Sequence, residues 1–270
     1  MTNYDRVSVV VGVILVGIVL LLVLEIPPRA FQFTPLGTPL TVRVTGGWLA
    51  SLLLVGLSCA GTEAVLRTHP TVRRRLVRYT FPNWILPALT TLALALFLPQ
   101  SPNLLYWVFG LAAGGGILAW LILIGYRSLD GKDRLAASSQ AALNLISYLL
   151  ALAFFAAIYR TRLRSLVTAT AVTVIASLIA LSMLRNEKRS MGQIVLYTMV
   201  IGLLLGETTW ALNYWRANTL TVGVLLMLLF YVLTGMVREY LRDSIDRRVV
   251  LEFLTVATLG TWIVFRFGPP

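Results

Sequence analysis

Nine apolar runs, most of about 20 residues, follow one another along the 270-residue chain with only short polar breaks between them. A helix rises about 1.5 Å per residue, so a run of about 20 residues crosses a hydrocarbon layer about 30 Å thick. Inside that layer no water completes a backbone hydrogen bond. Runs of this length must therefore satisfy their own N–H and C=O groups as helices. The sequence predicts an all-α fold, a polytopic transmembrane helical bundle of about nine helices. The runs are 7–26, 46–66, 84–98, 104–126, 138–159, 165–184, 191–212, 217–237 and 249–267. No break between them has room for a folded soluble domain, so 1–270 is expected to be a single integral membrane domain. The first run ends in Leu24-Glu25-Ile26-Pro27-Pro28, without the small residues of a cleavage site, and is expected to be a retained helix.

Composition agrees with this class. Hydrophobic residues make up 58% of the chain and charged residues 13%, with a mean hydropathy of +0.82. That leaves too little polar surface for a soluble domain of this length. In a soluble protein the net charge of +12 would point to nucleic acid. In a membrane protein it reflects the Lys and Arg that collect in cytoplasmic loops, and no nucleic-acid partner is expected. The lone cysteine, Cys59, permits no internal disulfide and no Cys/His metal cluster, so no cofactor is expected. The lone histidine, His69, precedes Pro70 in a loop and reads as a surface residue.

Charge placement orients the chain. With the N-terminus inside, sixteen of the 23 Lys and Arg residues fall on the inner side and seven outside. The bias predicts N-in/C-out. Arg160, Arg162 and Arg164 are the exception, crowding a tight turn on the disfavoured side. They are read as residues with a task at the outer face, against the plainer reading of side chains snorkelling to lipid phosphates. Between the first two runs, Phe31-Gln32-Phe33-Thr34 and Leu40-Thr41-Val42-Arg43-Val44-Thr45 alternate apolar and polar around Pro35-Leu36-Gly37-Thr38-Pro39. Period two about a turn predicts a short external β-hairpin at 31–45.

Two groups of residues carry candidate chemistry. Glu207 lies five residues before the end of its run, about 7 Å deep at 1.5 Å per residue. Its apolar flank, Leu203-Leu204-Leu205-Gly206, suggests that the carboxylate points into the bundle. Glu207, Trp210, Ala211 and Tyr214 share one face at i, i+3, i+4 and i+7. Gly202 and Gly206 would let a neighbouring helix approach closely. The expected site is a ligand pocket in the outer leaflet, walled by Glu207, Trp210 and Tyr214, with Arg160, Arg162 and Arg164 at its mouth. The plainer reading is a structural ion pair and an interfacial aromatic belt. The expected partners are membrane lipid or another membrane protein.

The second group is the pair of Asp-x-x-Asp segments, Asp130 with Asp133 and Asp243 with Asp246. On a helix this spacing places two carboxylates on one face, which could hold Mg²⁺ against a diphosphate. Intramembrane prenyltransferases are similar in having nine helices and two cytoplasmic aspartate motifs, though their motifs are longer and follow earlier helices. The resemblance implies a Mg²⁺-dependent transferase of prenyl or lipid diphosphates as an alternative, with solvated loop charge as the plainer reading. A proton-coupled transporter using Glu207 is a further alternative, set back by the scarcity of paired intramembrane charges. No nucleophile elbow, zinc-protease motif or phosphate-binding loop occurs.

The segment Gly206-Glu207-Thr208-Thr209-Trp210-Ala211-Leu212-Asn213-Tyr214-Trp215, with the Val222 to Arg238 region containing Tyr231 and Gly235, resembles a family of bacterial multi-pass membrane proteins of unknown function. In those proteins a Glu-x-x-Trp-Ala-Leu segment ends a helix before a short turn. The resemblance implies a multi-pass topology in a bacterial plasma membrane and draws attention to Glu207 and Trp210, without implying a reaction.

The orientation has a direct test. With Cys59 replaced by serine, single cysteines placed at 101 or 161 should react with an impermeant maleimide on intact cells. Cysteines at 131 or 188 should react only after permeabilisation.

Overall fold

The computed structural model describes residues 3–23, 29–33, 40–44, 46–73, 79–130, 137–161, 165–187, 189–214, 218–244 and 246–267. The helices are α1 (Asn3–Val23), α2 (Gly46–Leu66), the single turn α3 (Pro70–Arg73), α4 (Pro82–Phe97), α5 (Leu104–Arg127), α6 (Ala137–Arg160), α7 (Ser165–Leu184), α8 (Met191–Leu212), α9 (Thr219–Leu241) and α10 (Arg247–Phe267). Among the described residues, eight helices are long and apolar enough to cross a membrane: α1, α2 and α4 to α9. The ninth expected crossing corresponds to α10, a helix of 21 residues that is not among those eight. Large apolar side chains such as Leu53, 76% exposed, and Leu104, 77% exposed, cover the spans. Such a surface suits lipid and would be a liability in water. The protein is a multi-pass membrane protein.

Between α1 and α2, strands β1 (Arg29–Phe33) and β2 (Leu40–Val44) pair antiparallel, with Phe31 opposite Val42. The turn residues expected between them, and Thr34 and Thr45 at the strand ends, lie outside the described residues.

The chain divides into two compact units, Met1–Ala137 and Ser138–Pro270. In the first, Val7, Val11, Ile14 and Ile18 of α1 form a buried stripe against Leu54 and Val65 of α2 and Leu118 and Ile122 of α5. Gly110 and Gly114 of α5 leave room for Leu98 and Leu94, and Gly115 leaves room for Leu15 of α1. The short α4 starts with Pro82 in its first turn, where a missing N–H costs nothing, and is extended by a 3-10 turn at Leu98–Gln100.

In the second unit the closest approach is between α7 and α8. A Cβ on Gly202 would meet Ser177 Oγ and would lie 2.5 Å from the Thr173 carbonyl oxygen; one on Gly206 would meet Thr173 Oγ1 and lie 3.1 Å from the Ala169 carbonyl oxygen. Thr173 and Ser177 thus form the α7 side of this contact, while Thr170 is exposed and bonds back to the Leu166 carbonyl. α9 packs Gly223 onto the backbone of Ala156 in α6, and Phe155 and Phe230 meet edge to face with ring centroids 6.0 Å apart. α9 starts two residues later than its apolar run suggests because Asn218 caps it, accepting from Leu220 N–H. It continues to Leu241 and stops where Asp243 takes a left-handed conformation with φ 55°. Phe253 of α10 lies over Gly235 of α9, and Leu228 of α9 lies over Gly260 of α10.

Lipid tails solvate an apolar helix as well as another helix does, so close packing carries much of the α7–α8 association. Gly202→Leu or Gly206→Val should separate the helices and destabilise the protein by about 1–3 kcal/mol, the usual cost of overpacking. Thermal unfolding in nanodiscs measures it, and Gly192→Ala, where the added Cβ meets nothing, is the control.

Candidate functional site

The α8 face is set by its neighbour. Gly202, Gly206 and Thr209 are buried, the two glycines against α7. At about 100° per residue, Glu207, Trp210, Ala211 and Tyr214 then fall on the other side. All four are exposed, Trp210 by 50% and Tyr214 by 80%. The expectation that Glu207 turns into the bundle is therefore corrected: glycines occupy the inward positions, and the carboxylate projects outward. The four residues line an open recess of about 330 Å³ on this one helix.

The end of α8 is pinned to its neighbours. Tyr159 Oη of α6 donates to the Leu212 carbonyl at 3.2 Å, and Asn213 Nδ2 donates to Thr168 Oγ1 of α7 at 2.8 Å. The first bond brings the end of α6, with exposed Arg160, to the end of α8 that carries the recess. Arg162 and Arg164 lie outside the described residues.

The aspartate pairs fare differently. α9 ends at Leu241 and α10 begins at Arg247, so Asp243 and Asp246 lie in the break between two helices instead of on one helical face. Asp243 is ion-paired with Arg189, and Asp246 accepts from the Arg247 backbone N–H at 2.7 Å. The helical geometry that motivated a Mg²⁺ site is thus corrected for this pair. Asp130 closes a 3-10 turn at Ser128–Asp130, with its side chain outside the described residues, as is the whole of Asp133. Among the described residues no group of three or more His, Cys, Asp or Glu side chains is arranged to hold a metal.

Sequence reasoning missed a polar cluster at the opposite end of the second unit. Glu187, in the α7–α8 turn, has an 11% exposed side chain. Its carboxylate accepts from Arg242 Nη2 at 2.9 Å and from Arg242 Nε at 3.1 Å, and lies 4.0 Å from Arg238 Nε. Arg238 Nη2 reaches Asn144 Oδ1 of α6 at 3.4 Å. Arg189 Nε donates to the Leu241 carbonyl at 3.3 Å, completing the end of α9. Hydrogen bonds to Glu187 push the Arg242 guanidinium up, and burial lowers Arg185 to about 10, which leaves it charged at neutral pH. The cluster ties the α7–α8 turn to α9 and the start of α6. Its only sequence signal is charge in two loops expected on the same side.

The first unit has a comparable tie. Glu63 accepts from Arg67 Nε, four residues on, at 2.7 Å, and also from Trp84 Nε1 of α4 at 2.9 Å. His69 corrects its surface reading: it is 2% exposed, with Nδ1 2.6 Å from Thr71 Oγ1 and its ring edge-on to Tyr126 at 4.6 Å. The loop folds back under the end of α5, and the ring fills the space there.

Replacing Glu187 by alanine leaves two arginines facing a low-dielectric helix end without their carboxylate. It should cost about 1–3 kcal/mol, more than Arg242→Ala, whose side chain is half exposed. Chemical denaturation in mixed micelles compares the two.

No curated protein and no solved structure matches the chain. A family model described as "Protein of unknown function (DUF5656)" matches residues 26–267, which include every span from α2 onward and the whole α8 face. The chain belongs to this DUF5656 family.

Proposed function

We propose that this multi-pass membrane protein is a non-enzymatic binder of an amphiphile with an ammonium head group, held at the outer leaflet of a bacterial plasma membrane. The observation that carries the reading is the α8 recess. A carboxylate projects from an apolar helix, with the exposed Trp210 and Tyr214 following it on the same face toward the helix end, and among the described residues it makes no hydrogen bond or ion pair. A charge placed about 7 Å inside a span is costly unless something outside the helix complements it. An ammonium group does so twice, by its charge against Glu207 and by its attraction to the faces of Trp210 and Tyr214. Arg160, at the same end of the unit, suits the phosphate of a zwitterionic head group.

Native mass spectrometry of the protein extracted from membranes rich in phosphatidylethanolamine tests this. The wild type should retain phosphatidylethanolamine, and Glu207→Gln should lower its occupancy about tenfold, the equivalent of losing one charge-assisted contact of about 1.4 kcal/mol. Equal occupancy in the variant, or retention of anionic lipid alone, overturns the reading.

A further inference from the structure

Among the described residues, three buried polar atoms of the first unit have no hydrogen-bond partner: Ser58 Oγ, Thr62 Oγ1 and Asn83 Oδ1. Ser58 and Thr62 are fully buried, and Asn83 is 8% exposed. Hydroxyls on membrane helices usually bond back to the carbonyl four residues earlier. Other buried hydroxyls of this unit do so: Ser51 to Gly47, Thr90 to Leu86 and Thr91 to Pro87. Ser58 and Thr62 forgo that acceptor while lying out of reach of solvent.

Their direction follows from their neighbours on α2. Gly61 faces Val10 of α1, and Glu63 reaches Trp84 of α4. Thr62 lies midway between those two on the helical wheel, about 100° from each, and Ser58 lies within about 40° of Thr62. Both look into the space between α1 and α4. Asn83 approaches from α4, beside Gly125 of α5, whose Cβ position is 3.7 Å from Asn83 Oδ1. Thr62, Asn83 and Gly125 each lie within a few residues of a helix end, so the three sit at one level. At that level Pro87, inside α4, lacks the N–H that would meet the Asn83 carbonyl.

We infer that Ser58, Thr62 and Asn83 line an internal hydration site, occupied by bound water at the ends of α2, α4 and α5. Water supplies a donor and an acceptor together, and buried waters typically make about three hydrogen bonds to groups of this kind. A bare cation suits the place less well. The donor atoms are neutral, and the nearby Glu63 carboxylate is engaged by Arg67 and Trp84. This site is independent of the α8 recess.

Synchrotron radiolysis of the full chain in nanodiscs, read by peptide mass spectrometry, is the direct test. Bound water should give oxidative labelling at residues 58–62 and 82–87 despite their burial, and the Ser58→Ala/Thr62→Val double variant should lose it. Melting temperature is the second readout. Ser58→Ala and Thr62→Val should each lower it, because each removes a partner of the water, and Thr62→Ser should leave it unchanged. Absence of labelling in the wild type overturns the inference. So does a rise in melting temperature for Ser58→Ala or Thr62→Val, which is the result expected for a dry, unsatisfied hydroxyl. A melting temperature that depends on sodium in place of choline would assign the site to a cation and overturn it as well.

Discussion

Gly202 and Gly206 present no side chain to α7, and the geometry of the second unit follows from that. Thr173 and Ser177 occupy the space where two Cβ atoms would have been. Because the glycines and Thr209 take the inward positions of α8, Glu207, Trp210 and Tyr214 are left on the outward face. The outward carboxylate is therefore a product of packing. A side chain of glutamate size could not replace either glycine without parting the two helices.

Hydrocarbon gives no help to polar helix ends, and both units deal with this by tying ends together. In the first, Glu63 joins α2 to α4, while His69 and Thr71 fold under Tyr126. In the second, Glu187 gathers Arg238 and Arg242, and Arg189 bonds to the Leu241 carbonyl at the end of α9. These ties use side chains from segments distant in sequence.

Most of the helix boundaries were legible in the sequence, since apolar length and flanking proline or charge are local signals. That α8 would meet a neighbour closely was legible too, from Gly202 and Gly206 at helical spacing, but not that the neighbour is α7. What the sequence could not tell was rotation. The apolar flank of Glu207 is compatible with either direction, and only the demand of α7 for the glycine face decides between them. The same limit hid the Glu187 cluster, whose members come from three segments up to about a hundred residues apart. His69 was misread for a related reason. A polar residue before proline looks like surface, until the end of a neighbouring helix is found above it.

The last two helices exchange one projection each: Phe253 of α10 seats over Gly235, and Leu228 of α9 seats over Gly260. Two such notches, one on each partner, form a lock with a single register. Sliding α10 by a turn would withdraw both projections at once, and rotating it would drive Phe253 against a neighbouring side chain. The final helix can therefore join α9 in one alignment, whenever during assembly it arrives.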